Sequence, residues 1–393
     1  MSDSFYIASR YIAYHKVKTA ILIVSISFIL YLPLALRVLV DAAERELMAR
    51  AETTPLIVGS KGSSLDLAIE TLYFVESKRL ESIPMTQAKR IEDTGLALAI
   101  PMHTRFRAGR HPIAGTTLDY FAFRGLSVHR GRQMTRLGEC VLGAAAAEEL
   151  GVGPGGHVLS TPDNLFDLAG ENPLRMTVAG VLERTHTPDD RAVFVDVRTA
   201  WIIAGLGHGH QDLDKVTDPD LLLKKEGDTY RANAKLLKYT EITDENIDSF
   251  HFHGDTSGFP ITAVIAVPPD RKSADLLRGR YQAAEETCQI LRPIDEIRDL
   301  TATIFRVEGI LNSVFGLLAV STTLLVVLVV MLSLRLRHRE MQTMFKIGCS
   351  RSMIAGLLGA ELCIIVLVSL AATIMLTALT ARYVDEILRR VIL

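Results

Sequence analysis

The chain has 393 residues, 49% of them hydrophobic and 22% charged, with 43 lysines and arginines against 45 aspartates and glutamates. That apolar content is too high for an ordinary soluble domain, and the charge is too plentiful for an all-membrane transporter core. A net charge of −2, with no basic patch interleaved with aromatics, gives no reason to expect nucleic acid as a partner.

Ser4–Val17 (SFYIASRYIAYHKV) sets Phe5, Ile7, Tyr11, Ile12 and Tyr14 beside Arg10, His15 and Lys16, as an amphipathic helix lying in a membrane interface would. The same residues also fit the start of the span that follows; residues 1–18 are read as a cytoplasmic N-terminal helix. Thr19–Leu36 is uncharged over 18 residues and contains Pro33. It reaches crossing length if the helix continues to Val40 with Arg37 snorkelling. The run is longer than the roughly 7–15 residues of a signal-peptide core, and no A-x-A-like cleavage site follows, so 19–40 reads as a retained anchor.

The next 250 residues or so, 41–291, mix helical and strand patterns without a regular βαβ repeat, which predicts an α+β domain. Asp41–Ala51 continues as a polar helix. Thr53–Ser64 reads as a strand and a Gly-Ser turn, and Leu65–Phe74 as a helix. A helix near Thr86–Glu92 precedes β-leaning runs at Leu96–Arg107 and Ile113–Phe123. Gly138–Ser160 reads as strand, Ala-rich helix, glycine turn and strand, and Arg175–Val197 as two strands around a Pro-Asp turn. Asp218–Asp248 is charged and turn-rich, fitting a surface insertion, while Ile261–Val267 (ITAVIAV) is a buried strand followed by a helix from Ser273.

Two His-x-His pairs fall in this domain. His208 and His210, with Asp212 and Asp214 nearby, and His251 and His253 in HFHGD could ligate a metal. Spacing fixes no third and fourth ligand, so solvated or hydrogen-bonded imidazoles account for the same pattern. Cys140 and Cys288 also lie here, and two buried thiols fit them better than a bridge.

From Pro293 a helix is expected to lead into the membrane: Ile294, Ile297, Leu300, Ile304, Val307 and Ile310 recur at threes and fours. Residues 292–309 form this stalk. Ile310–Leu334 then carries no charge over 25 residues, and Met353–Thr380 carries one, Glu361, over 28. Both exceed the roughly 20 residues a crossing helix needs. Between them, 335–352 is a basic elbow. Arg10, Lys16 and Lys18 before the first span, and Arg335, Arg337, Arg339, Lys346 and Arg351 in the elbow, place both on the cytoplasmic side. Met341, Met344 and Phe345 share one face of the elbow, Gly348 can end its helix, and Ser350 or Ser352 can cap the next span. Glu361 is costly in lipid unless paired, and an elbow arginine or an interfacial polar group is the expected partner. Ala381–Leu393 is too short and charged to cross and reads as an external amphipathic segment. No G-x-x-x-x-G-K-[ST] spacing occurs, so the chain has no P-loop.

RLRHREMQTMFKIGCSRSMIAGLLGAE, Arg335–Glu361, resembles the signature of FtsX/MacB-type ABC transporter permeases, with its Ile-Gly-x-Ser-Arg-like turn and early glutamate. CVLGAAAAEELGVGPGGHVLS and MTVAGVLERTHTPDDRAVFVDVRTAW resemble external segments of that family. The resemblance implies three membrane helices with a large periplasmic α+β domain between the first and second, its MacB-like core carrying an inserted subdomain at about 124–205. It implies a non-catalytic permease in the bacterial inner membrane, with no cofactor in this chain and with ATP and Mg on a partner ATPase. Arg335, Arg337, Arg339, Glu340, Met341, Met344, Phe345, Gly348, Ser350 and Arg351 would meet that ATPase. A second permease copy, the lipid bilayer and a periplasmic adaptor or cargo protein would be the other partners. The family usually has four spans and this sequence shows three. An FtsX-like signalling protein that moves no cargo, and a membrane-anchored metal-binding protein, are the rival readings.

Overall fold

The computed structural model describes residues 2–77, 80–161, 173–209, 222–226, 229–232, 240–283, 285–336, 338–346 and 348–392. Helices α1 (Ser2–Tyr14) and α2 (Lys16–Glu52) meet at His15, and α2 passes Pro33 without ending. β1 (Leu56–Ser60) is buried throughout, and α3 (Ser64–Tyr73) starts where the Ser63 hydroxyl accepts from the Asp66 N–H at 3.1 Å. β2 (Ile83–Pro84), α4 (Thr86–Asp93), β3 (Leu98–Ala108), β4 (His111–Thr116) and α5 (Leu118–Arg124) follow. The β-leaning run Ile113–Phe123 is therefore strand only to Thr116. Beyond it, a helical turn buries Tyr120 and Phe121 together and ends at Gly125, whose φ of 65° favours glycine.

After β5 (Val128–Gly131), β6 (Glu139–Leu142), α6 (Ala144–Leu150) and β7 (His157–Leu159) reproduce the strand, helix, glycine turn and strand expected over Gly138–Ser160. β8 (Arg175–Leu182) and β9 (Val193–Asp196) flank a 3-10 turn at Pro188–Arg191, and Asp196 caps α7 (Val197–Ile203). After β10 (Gly207–Gly209), the segment expected to be a surface insertion contains a strand pair, β11 (Leu222–Glu226) and β12 (Thr229–Ala232). Then come β13 (Phe250–Phe252), β14 (Pro260–Ile261), β15 (Ala263–Val267), α8 (Arg271–Arg280), β16 (Cys288–Leu291), α9 (Pro293–Leu336), α10 (His338–Lys346) and α11 (Arg351–Ile392).

Residues 48–298 form one unit, built on a ten-stranded sheet ordered β16-β1-β15-β3-β4-β9-β6-β8-β5, with β7 also on β8. β4–β9 and β6–β8 are parallel and the other pairs antiparallel, a mixed α+β sheet. Strands from 124–205 supply one half of this same sheet. Its faces follow the two-residue period. Ile100, Met102, Phe194 and Ile265 pack on one side with Tyr120 and Phe121. Val193, Val195 and Leu142 form one cluster on the other side, and Val264, Ala266 and Leu56 a second around Trp201. Cover on both faces is why ITAVIAV reads as a continuous apolar run. Cys140 and Cys288 are free, buried thiols in different clusters, and burial pushes the Cys140 thiol up to about 12.

Among the described residues, the other unit, residues 1–47 and 299–393, holds three helices long and apolar enough to cross a membrane. α2 and α11 pack through small polar residues. Ser27 donates to the Ser369 carbonyl at 3.2 Å, Thr373 to the Ser27 carbonyl at 3.3 Å, and Tyr31 meets Thr380 at 2.8 Å. The apolar window of α9 has no buried residue within the chain. α11 continues without a break through residues 381–392.

Candidate functional site

The elbow is a nine-residue helix, α10, between two spans. Gly348 ends it with φ of 100°, and the backbone N–H groups of Gly348 and Cys349 donate to Phe345 and Met344 carbonyls at 3.1 Å each. Ser350 caps α11: its hydroxyl accepts from the Met353 N–H at 3.2 Å and touches the Ser352 hydroxyl at 2.8 Å. Both features match the sequence expectation. The apolar face is divided, however. Met344 packs on the cluster of Ala8, Leu357 and Ala360, tying α10 to α1 and α11, whereas Phe345 is 54% exposed with the Arg351 guanidinium 5.9 Å from its ring centre. Met341 is half-buried, Arg335 and Arg339 are exposed, and Glu340 lies on α10; Arg337 falls outside the described residues.

Glu361 is 9% exposed, and its Oε1 lies 3.8 Å from the Lys18 ammonium. Lys18, at the start of α2, is thus a partner of the interfacial polar kind the sequence led us to expect. The reason is α1–α11 packing, which brings the N-terminal segment against the first turns of α11.

In residues 48–298, both helices that lead in or out of the sheet are fixed at their ends. Arg50, in the last turn of α2, is buried. It donates from Nη1 to Asp189 Oδ2 at 2.6 Å, from Nη2 to Asp189 Oδ1 at 2.9 Å and from Nη2 to the Tyr120 hydroxyl at 2.7 Å. Tyr120 donates to Asp189 Oδ1 at 2.7 Å. Burial alone would raise the Asp189 pKa, but the Arg50 guanidinium and these hydrogen bonds hold it below its ordinary value. Burial also pushes the Tyr120 phenol well above its usual range. Arg124 donates to the Thr53 and Thr54 hydroxyls at 3.1 and 2.8 Å, completing the collar. At the other end, Glu296 in the first turn of α9 accepts from the Ser64 hydroxyl at 2.7 Å, and Ile297 is fully buried. None of this was legible in sequence: Arg50 sits in a polar helix, and its partners lie 70 and 139 residues away.

Residues 47–230 match the family model described as the MacB-like periplasmic core domain. Over these residues, a little under half of its length, the chain is similar to the periplasmic core of MacB-like proteins. Similar solved structures include the periplasmic region of MacB from Actinobacillus actinomycetemcomitans, at 12% identity and a TM-score of 0.35, covering 65% of this chain and 96% of that one. A second is the extracellular domain of the noncanonic ABC-type transporter YknZ from Gram-positive bacteria, at 11% identity and a TM-score of 0.32, covering 60% and 98%. No curated protein matches the sequence.

The matched core spans Arg50, Tyr120 and Asp189, so the collar is part of the MacB-like domain itself. The histidines are only partly within it. His208 lies inside the matched residues and His251 and His253 beyond them, yet the fold brings the three side chains together, with ligand atoms within 4.8 Å of one another. His210, Asp212 and Asp214 fall outside the described residues.

Proposed function

We propose that this chain is a permease of the FtsX/MacB type that passes ATP-driven motion from a separate cytoplasmic ATPase to its extracytoplasmic domain, where a lipoprotein, peptide or hydrophobic compound is extracted or exported. The observation that carries this reading is a MacB-like core set between two long apolar helices, each fixed in the core at its end by Arg50–Asp189 or Glu296–Ser64. Such joints pass on displacement, which a flexible linker would absorb. The basic residues before α2 and in the elbow favour a cytoplasmic N-terminus and a cytoplasmic α10, with the core in the periplasm. On the cytoplasmic side, the exposed Phe345 and the basic residues around it offer a partner's groove an aromatic anchor and charge. This chain has no P-loop, so Mg-ATP is bound and hydrolysed on the partner, and the permease itself is non-catalytic. Two copies per assembly, as a homodimer in the inner membrane, give each ATPase one elbow to move.

The test is a mild-detergent pull-down of the full-length protein from its native membranes under ATP-trapped conditions. Wild type is compared with a variant carrying Arg339→Glu and Phe345→Asp. Recovery of a P-loop ATPase with wild type, lost in the variant, is the expected result. Absence of any ATPase with wild type would end the transporter reading. Recovery of an external protein without cargo-stimulated ATP hydrolysis would favour signalling over transport.

A further inference from the structure

We infer that His208, His251 and His253 form a binding site for one divalent first-row transition-metal ion of the zinc class. The site is built by strand geometry. β10 and β13 pair antiparallel with His208 directly opposite His251, so the two side chains share a face. His253 lies two residues on, where an extended chain returns to that same face, and its N–H donates to the Leu206 carbonyl at 3.4 Å, continuing the ladder. The opposite face explains the sequence around the histidines. Gly207 and Gly209 stand opposite Phe252 and Phe250, and a Cβ on either glycine would come within 2.7 or 2.6 Å of the facing ring. Phe252 in turn packs edge-on against Trp201 at 6.3 Å and contacts Phe259 at 5.9 Å, which anchors the ribbon to the core. Gly-His-Gly facing Phe-His-Phe is thus an arrangement with phenyl rings inward and imidazoles outward.

The spacing suits a metal. Ligands at roughly 2.0–2.1 Å in a tetrahedral site stand about 3.4 Å apart, and His208 Nε2 and His253 Nε2 are 3.4 Å apart. The rings are splayed, with interplanar angles of 61°, 39° and 78° among the three pairs, so their nitrogens converge instead of stacking. His251 Nδ1 lies 3.0 Å from the Ser249 carbonyl. A carbonyl only accepts, so Nδ1 carries the hydrogen and Nε2 keeps its lone pair, the second-shell arrangement that orients a metal-binding imidazole. His208 and His251 are half-buried and His253 is exposed, which leaves a path for the ion and a fourth position for water or another ligand. Three imidazoles, with no carboxylate among the described residues of the cluster, select zinc, nickel or copper over calcium and magnesium. The ion would also join the two ends of the segment between His208 and His251.

The site stands apart from the transporter reading, and a failed pull-down would leave it intact. Its test uses full-length protein in detergent micelles, with any affinity tag removed and metal stripped with EDTA. The protein is dialysed against buffered zinc, and bound metal is counted by mass spectrometry. The expected result is one zinc per chain at micromolar free ion or below, unaffected by excess magnesium, with a visible absorption of tetrahedral type when cobalt replaces zinc. His253→Ala should weaken binding roughly 100-fold, and His251→Ala at least as much. The exposed His253→Ala variant should unfold at the wild-type midpoint in EDTA, followed by Trp201 fluorescence, so that lost binding cannot be lost folding; His253→Gln repeats the test with a bulkier side chain. With 11 histidines in the chain, zinc that binds equally well to both His253 variants and to His251→Ala overturns the assignment, as does wild type that binds none below millimolar zinc.

Discussion

Replacing Asp189 by alanine should be among the most destabilising single changes in the external domain. The carboxylate accepts two hydrogen bonds from Arg50 and one from Tyr120, all at 2.6–2.9 Å, and the Arg50 and Asp189 side chains are only 6% and 3% exposed. Without Asp189, the Arg50 guanidinium stays buried with no counter-charge, beside Arg124, whose own pKa burial and the Arg50 charge already lower. Removing one partner of such a pair costs about 3–5 kcal/mol, whereas a solvated surface pair is worth under about 1 kcal/mol. Arg50→Met with Asp189→Leu removes both charges and should recover most of the loss, because the desolvation cost disappears with them. The assay is urea unfolding of full-length protein in micelles. Trp201, the chain's one tryptophan, is buried in the external domain and donates to the Pro260 carbonyl at 2.8 Å, so its fluorescence follows that domain alone. A loss below about 1 kcal/mol for Asp189→Ala, or a double variant as unstable as the single, would refute the reasoning.

Two buried titrating groups give pH predictions of opposite sign. Burial raises the Glu70 carboxyl from 4.5 to about 6; its Oε2 accepts from the Ser77 N–H at 3.1 Å and its Oε1 has no hydrogen-bond partner. The native state holds this proton more tightly than the unfolded chain, so stability falls as pH rises from 4.5 to 6, and a penalty of about 2 kcal/mol persists above that. Glu70→Gln should therefore stabilise the domain at pH 7 by up to about 2 kcal/mol and by little at pH 4, read from urea midpoints at the two pH values. Burial and the nearby Arg105 lower His103 from 6.5 to about 4, and neither ring nitrogen has a hydrogen-bond partner. Here the unfolded chain takes up the proton first, so stability is lost as pH falls from 6.5 toward 4, by about 3 kcal/mol in full. His103→Phe should remove that share of the acid loss, seen as a smaller drop in urea midpoint between pH 7 and pH 4.5 than wild type shows.

The spans, the α+β class and the elbow were legible because each rests on local signals: uncharged runs longer than a bilayer, apolar periodicity, and a glycine and a serine that end and begin helices. Gly348 and Ser350 do what their residue types predict. Partner identity was not legible, because it depends on pairing across the chain. Glu361 meets Lys18 from a helix more than 340 residues earlier, and Arg50 meets Asp189 across 139 residues. The histidines lie between these cases. Their alternation along a strand was visible, but only the register that sets His208 against His251 turns two motifs into one cluster. The helix at Leu118–Arg124 was missed because Tyr120, Phe121 and Phe123 are residue types enriched in strands, whereas here Tyr120 and Phe121 are held by the core under the sheet.

Sheet order bears on how motion would pass through the external domain. α2 feeds β1 and β16 feeds α9, and these two strands are neighbours at one edge of the ten-stranded sheet. They run antiparallel with Ile57 opposite Leu291, so the start of β1 and the end of β16 lie at the same end of the sheet. Displacing one helix end relative to the other would shear the β1–β16 register. Four residue pairs from Ile57↔Leu291 to Ser60↔Cys288 resist that slip, and β1 is buried on both faces, so slipping by one residue would turn core side chains to the wrong face. The sheet therefore answers such a load as a body. Arg50 on Asp189 carries the load from the α2 end into the turn before β9, in the far half of the sheet, and not into the edge strands alone. Within residues 48–298, the collar therefore ties the last turn of α2 to both halves of the sheet, so a load entering at Arg50 is shared by β9 as well as β1.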